Sequence, residues 1–175
     1  MSVDNRAIRV KRSAIMNTTW KYRVLAGLVG GLAFGLVNFL TFGLFSGSRV
    51  GQTGLLFDPL TQSAKVIAVW KEIPPLPWLV TQPLVIMIGL LLFGIVYAFV
   101  YASVEKAWPP QSQAHIWRLT ALTFVAPAFN ELMGPFNILH EPLQLQSIEF
   151  AFWIVACLAQ SIVIVTMFRR ARVAQ

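Results

Sequence analysis

The sequence predicts an all-α integral membrane protein: a bundle of four transmembrane helices, both termini cytoplasmic, with an interfacial helix in the outer loop between the first two spans. Three observations carry this expectation. Of 175 residues, 57% are hydrophobic and 12% charged, with a mean hydropathy of +0.66, whereas soluble domains carry about 25% charged residues. Four apolar stretches, at about 24–46, 79–104, 116–139 and 148–168, reach the roughly 20 residues that a hydrocarbon core requires at about 1.5 Å per residue. Eleven of the fourteen basic residues fall on one set of connections: Arg6, Arg9, Lys11, Arg12, Lys21 and Arg23 before the first stretch, Lys106 and Arg118 between the second and third, Arg169, Arg170 and Arg172 after the fourth; Arg49, Lys65 and Lys71 fall on the other. The positive-inside rule therefore puts both ends in the cytoplasm of a bacterial-type inner or plasma membrane. The same asymmetry accounts for the net charge of +7. It flanks membrane spans and is not interleaved with stacking aromatics, so nucleic acid is not an expected partner.

The whole chain reads as a single membrane domain. Residues 1–20 form a basic cytoplasmic arm. The first apolar run, at about 22 residues, exceeds the 7–15 of a signal-peptide core and reads as a retained span. It carries Gly27, Gly31 and Gly35 on one face, and the second span repeats the device with Gly94, Ala98 and Ala102. Such small-residue stripes let backbones approach where lipid supplies no hydrophobic driving force. A single Gly31→Ile replacement is expected to disrupt that contact, although the stripe itself does not say which helix it meets. The outer loop, 47–78, contains a helical pattern in which Asp58 caps, Pro59 takes the first position, and Leu60, Ala64, Ile67 and Trp70 recur. Pro74, Pro75 and Pro77 end it. Trp20, Tyr22, Tyr101, Trp108 and Trp117 suit one membrane boundary, and Trp70, Trp78 and Trp153 the other.

The third stretch is the informative one. Thr120, Thr123, Pro127, Asn130, Gly134, Asn137 and Glu141 form a stripe without one large apolar side chain. Pro127 and Pro135 remove backbone donors, which predicts a kinked or partly unwound outer half. Asn38 lies as far from Val24 as Asn130 from Ile116, about 21 Å at helical rise. With Glu131, Asn137, His140, Glu141, Glu149 and, on the fourth span, Gln160, they form an expected polar intramembrane cluster. Glu131 stands inside a span, where a charge costs about 2.5–3.5 kcal/mol, so it is either a functional group or interhelical hydrogen-bonding glue.

Specific chemistries find little footing. No phosphate loop, nucleophile elbow or cysteine with a base is present, so no enzyme is expected and no catalytic residue is named. The single cysteine, Cys157, excludes a disulfide within these residues. His140 and Glu141 are weak metal candidates, able with Glu131 and Glu149 to offer ligands to iron, manganese or zinc, but they lack Glu-x-x-His spacing. His115 and His140, about 37 Å apart along a helix, cannot clamp one haem. The reading that needs only these features is a non-catalytic accessory, assembly or docking subunit of a larger membrane complex, or a homo-oligomer, contacting lipid and requiring no cofactor. A small transporter using the polar face of the third span is the first alternative. Metal or pigment binding through His140 and nearby carboxylates is the second.

Overall fold

A computed structural model describes residues 5–46 and 54–173, with side chains from Trp20 onward in the first segment and to Ala171 in the second. Its regular elements are helical: α1 (Asn5–Asn38), α2 (Ala64–Ile67), α3 (Trp78–Thr81), α4 (Pro83–Val104), α5 (Ser112–Glu131) and α6 (Leu143–Val173). Wider π turns extend α1 over Phe39–Phe45, α2 over Ala68–Glu72 and α5 over Leu132–Phe136. Three of the helical stretches, Trp20–Phe45, Pro83–Ala107 and Leu143–Ala171, are long and apolar enough to cross a membrane. They carry exposed apolar rows such as Leu25, Leu32 and Leu36 on α1 and Leu84, Ile88, Leu92 and Val96 on α4, surfaces that suit lipid and not water. α5 lies beside them with a more polar composition, its inward side formed by His115, Thr120, Thr123, Pro127 and Glu131.

From Asn5 onward the residues of the basic arm are helical and continuous with the rest of α1. Residues 1–4, Arg49 and the rest of 47–53 lie outside the described residues, as do the side chains of Arg6, Arg9, Lys11, Arg12 and Arg172.

Helix α4 packs on α1, α1 on α6, and α6 on α5. The glycine stripes explain the first of these contacts. A β-carbon on Gly94 would overlap the Gly27 carbonyl oxygen and sit 2.5 Å from the Gly31 nitrogen, and one on Gly31 would lie 2.7 Å from the Leu90 carbonyl oxygen. The partner of the stripe is thus internal. Two backbones touch where only hydrogen fits, which converts small residues into dispersion contact along both helices. A β-carbon on Gly35 would lie 3.3 Å from Leu90 Cδ1 and 3.4 Å from Met87 Sδ, side-chain atoms and not backbone, and Ala98 is fully buried near Ala26, with Ala102 packed beside them.

α1 at Tyr22, the α4–α5 connection and the end of α6 meet at one end of the bundle. Tyr22 Oη donates to the Met167 carbonyl at 2.6 Å, and Arg169 Nη2 donates to the Pro110 carbonyl at 3.1 Å. Between α4 and α5 the link is Tyr101 Oη to His115 Nδ1 at 2.8 Å, while His115 Nε2 lies 2.7 Å from the Pro109 carbonyl. A carbonyl only accepts, so in the neutral ring Nε2–H donates to Pro109 and Nδ1 accepts from the Tyr101 hydroxyl. Both residues are buried, within a cluster that includes Leu119, Ile164 and Phe168. Tyr101→Phe therefore leaves His115 Nδ1 without its partner. A loss of about 1–3 kcal/mol is expected, read as a lower midpoint of thermal unfolding in detergent; an unchanged midpoint contradicts the assignment.

At the opposite end, the segment 54–72 folds over the α5–α6 connection. Leu56, Phe57 and Val66 bury against Leu145, with Phe42, Trp70 and Phe152 around them. The helix in this segment begins five residues later than the pattern suggests. Asp58 closes a turn, accepting from Leu60 N at 2.9 Å through its side chain and from Thr61 and Gln62 N through its carbonyl, and Ser63 caps α2 instead. The physical reason is Ser63, whose backbone is extended (ψ 133°) and whose N–H is taken by Gln62 Oε1 at 2.7 Å, while the Gln62 amide donates to the Leu56 carbonyl and to Glu141. Leu60 is left almost wholly exposed.

Candidate functional site

α5 delivers Glu131 to the interior through simple helical spacing. Leu119, Thr120, Thr123, Pro127 and Glu131 recur every three or four residues and are buried. Pro127 has no N–H to give to Thr123, whose hydroxyl turns back to the Leu119 and Thr120 carbonyls, each at 2.9 Å. The π turn at Leu132–Phe136 then holds Pro135, where an N–H is missing again. A π turn takes one more residue per hydrogen-bonded ring than an α turn. The inward register is therefore lost beyond Glu131, and Asn137 and His140 are exposed, His140 with φ of 55°. The π turn lies in the outer half expected to be kinked or partly unwound, and it leaves Asn137, a member of the expected stripe, outside the buried face. The chain re-enters at Glu141, which is 3% exposed.

Glu131 and Glu141 are met by Glu149 from the second turn of α6. One oxygen from each of the three carboxyls lies within 4.8 Å of the others. The described donors to this trio are neutral. Trp153 Nε1–H donates to Glu131 Oε1 at 2.8 Å, and Gln62 Nε2–H donates to Glu141 Oε1 at 2.7 Å. Glu131 Oε2 and Glu141 Oε2 are buried without a partner. Ser63 Oγ, bonded to the Leu139 carbonyl at 2.7 Å, pins the covering segment beside them.

The trio edges a cavity of about 620 Å³. Its walls come from the end of α1 (Asn38, Phe39, Phe42), the covering segment (Leu56, Phe57, Trp70), α3 and α4 (Val80, Pro83, Met87, Leu90), Asn130 and Pro135, and Trp153. Each of the three π turns contributes to this lining, and such turns concentrate at functional sites because they re-aim side chains. Asn38 and Asn130, matched in depth by the sequence, both line it; Asn38 Nδ2 donates to its own helix at the Phe34 carbonyl, 3.0 Å away. Gln160 is fully buried farther along α6, with neither amide atom partnered, and is not part of the lining.

Two residues that hold the site escape the sequence pattern. Trp153, expected in an aromatic belt, is partly buried, stacks on Phe34 with ring centroids 5.8 Å apart, and lies 5.0 Å from the Phe42 centroid. The sequence places Trp153 on one face of the fourth span with Glu149, Ala156 and Gln160, but its bond to Glu131 is not legible there. Gln62 carries no signal of its own, because its partner is far along the chain. His140, the weak metal candidate, does not join the three carboxyls, whereas Glu141 does.

Burial pushes the Glu141 carboxyl above its ordinary value of 4.5; hydrogen bonds from Gln62 and Glu149 oppose the rise and the Glu131 charge adds to it. A raised value in the fold means that stability from this group is complete below pH 4.5 and is lost as pH climbs through the raised value. Glu141→Gln has no such titration. Its unfolding midpoint is expected to fall less than that of the parent between acid and neutral pH, in a pH series of thermal melts. Parallel curves for the two proteins contradict the assignment.

No protein-family model, curated protein or solved structure matches this chain. The chemistry of the site therefore stands on its own geometry. Three carboxyls this close cannot all be ionised without compensation, since like charges at such separation disfavour each other and burial disfavours each singly. Shared protons or a bound cation supply that compensation, and the oxygen-only donor set suits hard cations.

Proposed function

We propose that the protein is a multi-pass membrane protein that binds a cation between its helices at Glu131, Glu141 and Glu149. The observation that carries this reading is the convergence of three carboxyls, two of them with an unpartnered buried oxygen, on a cavity whose described hydrogen-bond donors to them are uncharged. Of the activities set out from the sequence, such a site serves two: metal binding through the carboxylates near His140, with Glu141 and not His140 taking part, and transport along the polar side of α5. Discontinuous helices around a polar site are what alternating access draws on, and the π turns of α1 and α5 interrupt both helices at the cavity. A docking role with other subunits, expected from the glycine stripes, the basic arm and the lack of a catalytic motif, loses only the first of these supports. The glycine faces are filled by α1 and α4 themselves.

The same reading places α5 as a fourth span, with α2 at the outer interface and the meeting ends of Arg23, Lys106, Arg118 and Arg169 in the cytoplasm. Mn²⁺ is a suitable first probe, being a hard cation with a paramagnetic signal. Purified full-length protein is expected to take up Mn²⁺, seen as loss of the free-ion resonance, and Glu149→Gln to take up less. Absence of uptake by the parent at any neutral or alkaline pH overturns the metal-ion form of the proposal.

A further inference from the structure

A bare metal ion, bonded at roughly 2.0–2.6 Å, fills one corner of this site. The cavity is about 620 Å³, inside the roughly 300–1,000 Å³ range of pockets that take whole organic molecules. Much of the remaining wall is aromatic: Phe39, Phe42, Phe57 and Trp70, joined by Met87 and Leu90. Aromatic faces attract cations through their quadrupole, more strongly where water is excluded. The chain shows this affinity on one of these rings, since Lys71 Nζ sits 4.8 Å from the Phe57 centroid. At the carboxyl edge, Glu131 Oε2 and Glu141 Oε2 are acceptors lacking donors, in residues 5% and 3% exposed. A group that carries both charge and N–H donors satisfies them, and such charge-assisted bonds are about twice as strong as neutral ones.

We infer that the cavity binds an organic amine in its protonated form, with the ammonium at Glu131 and Glu141 and an apolar, aromatic body against Phe39, Phe42 and Trp70. This inference rests on the cation-binding reading of the trio and names its substrate class. It also ranks ligands. A primary amine gives N–H bonds and charge, its trimethylated analogue gives charge alone, and the matching alcohol gives neither charge nor more than one donor.

The test uses full-length protein in lipid nanodiscs, with 1-naphthylmethylamine, its N,N,N-trimethyl analogue and 1-naphthalenemethanol as probes, and Mn²⁺ measured in parallel. Equilibrium dialysis gives the affinities. The amine is expected to bind at least about tenfold more tightly than the alcohol, a charge-assisted hydrogen bond being worth about 1.5–3 kcal/mol, with the trimethyl analogue between them. Phe42→Ala is expected to weaken the amine. Equal binding of amine and alcohol overturns the inference and leaves an apolar cavity. Mn²⁺ uptake without amine binding overturns it while the cation-binding reading stands. Failure of both probes, in a parent protein that elutes as one species with its full helical signal, overturns both. These comparisons are made on the parent chain, so they hold whether or not any variant folds.

Discussion

Gly94→Ala is expected to destabilise the folded chain by about 3 kcal/mol, the upper part of the usual range for overpacking. The added methyl has nowhere to go, because its neighbours are the Gly27 carbonyl and the Gly31 nitrogen and α-carbon, all backbone. A flexible side chain rotates away from such a clash, but a helix backbone has to translate. In a bilayer the α1–α4 contact is held by dispersion at short range, so separating the two axes forfeits the interaction that brought them together. Gly89→Ala provides the comparison on the same helix, since a β-carbon there meets nothing within 4 Å and alanine is the better helix former. Unfolding by denaturing detergent, followed by helical circular dichroism, separates the two. Equal midpoints for Gly94→Ala and Gly89→Ala contradict the close contact.

The second large effect concerns the carboxyl trio. Glu131→Gln keeps a carbonyl oxygen able to accept from the Trp153 indole and removes one acid from the group of three. Cation affinity is expected to fall about ten- to a hundredfold, the equivalent of one charge-assisted interaction of about 1.5–3 kcal/mol. Stability without cation is expected to move the other way, staying level or rising, because repulsion and the burial of charge are relieved. Functional sites commonly hold groups that cost the fold stability. An isothermal titration and a thermal melt on the same preparation check both signs. Unchanged affinity removes Glu131 from the site. A sharp drop in melting temperature instead marks the trio as hydrogen-bonding glue, the competing structural role.

Much of the helical frame is legible in the residues. Apolar length alone locates the cores of α1, α4 and α6, and the glycine spacing identifies the face on which α1 is approached. Glu131, Glu141 and Glu149 also stand out, as acids within or beside apolar runs, and the depth match of Asn38 with Asn130 holds because both helices are regular up to those points. The pattern fails where regularity ends. Asn137 and His140 are read inward by extending a helical stripe, but the π turn at Leu132–Phe136 resets the register and turns them out. Trp153 looks like a belt residue because tryptophans cluster at membrane boundaries; only the folded arrangement brings Glu131 within 2.8 Å of its indole nitrogen. Gln62 joins Glu141 across a loop whose path no local periodicity encodes. The identity of the helix facing the glycine stripe is likewise a tertiary fact.

Proton release on cation binding tests the central claim most directly. If Glu141, whose carboxyl burial pushes up, holds a proton when no other cation is present, then adding Mn²⁺ or a naphthylmethylammonium salt to the purified protein in weakly buffered solution near neutral pH displaces it. An indicator dye is expected to report acidification that saturates with protein concentration, that shrinks in Glu131→Gln, and that coincides with loss of the protonated-carboxyl band in the infrared difference spectrum. Binding of neither cation, with no proton released and no carboxyl band altered, contradicts the account.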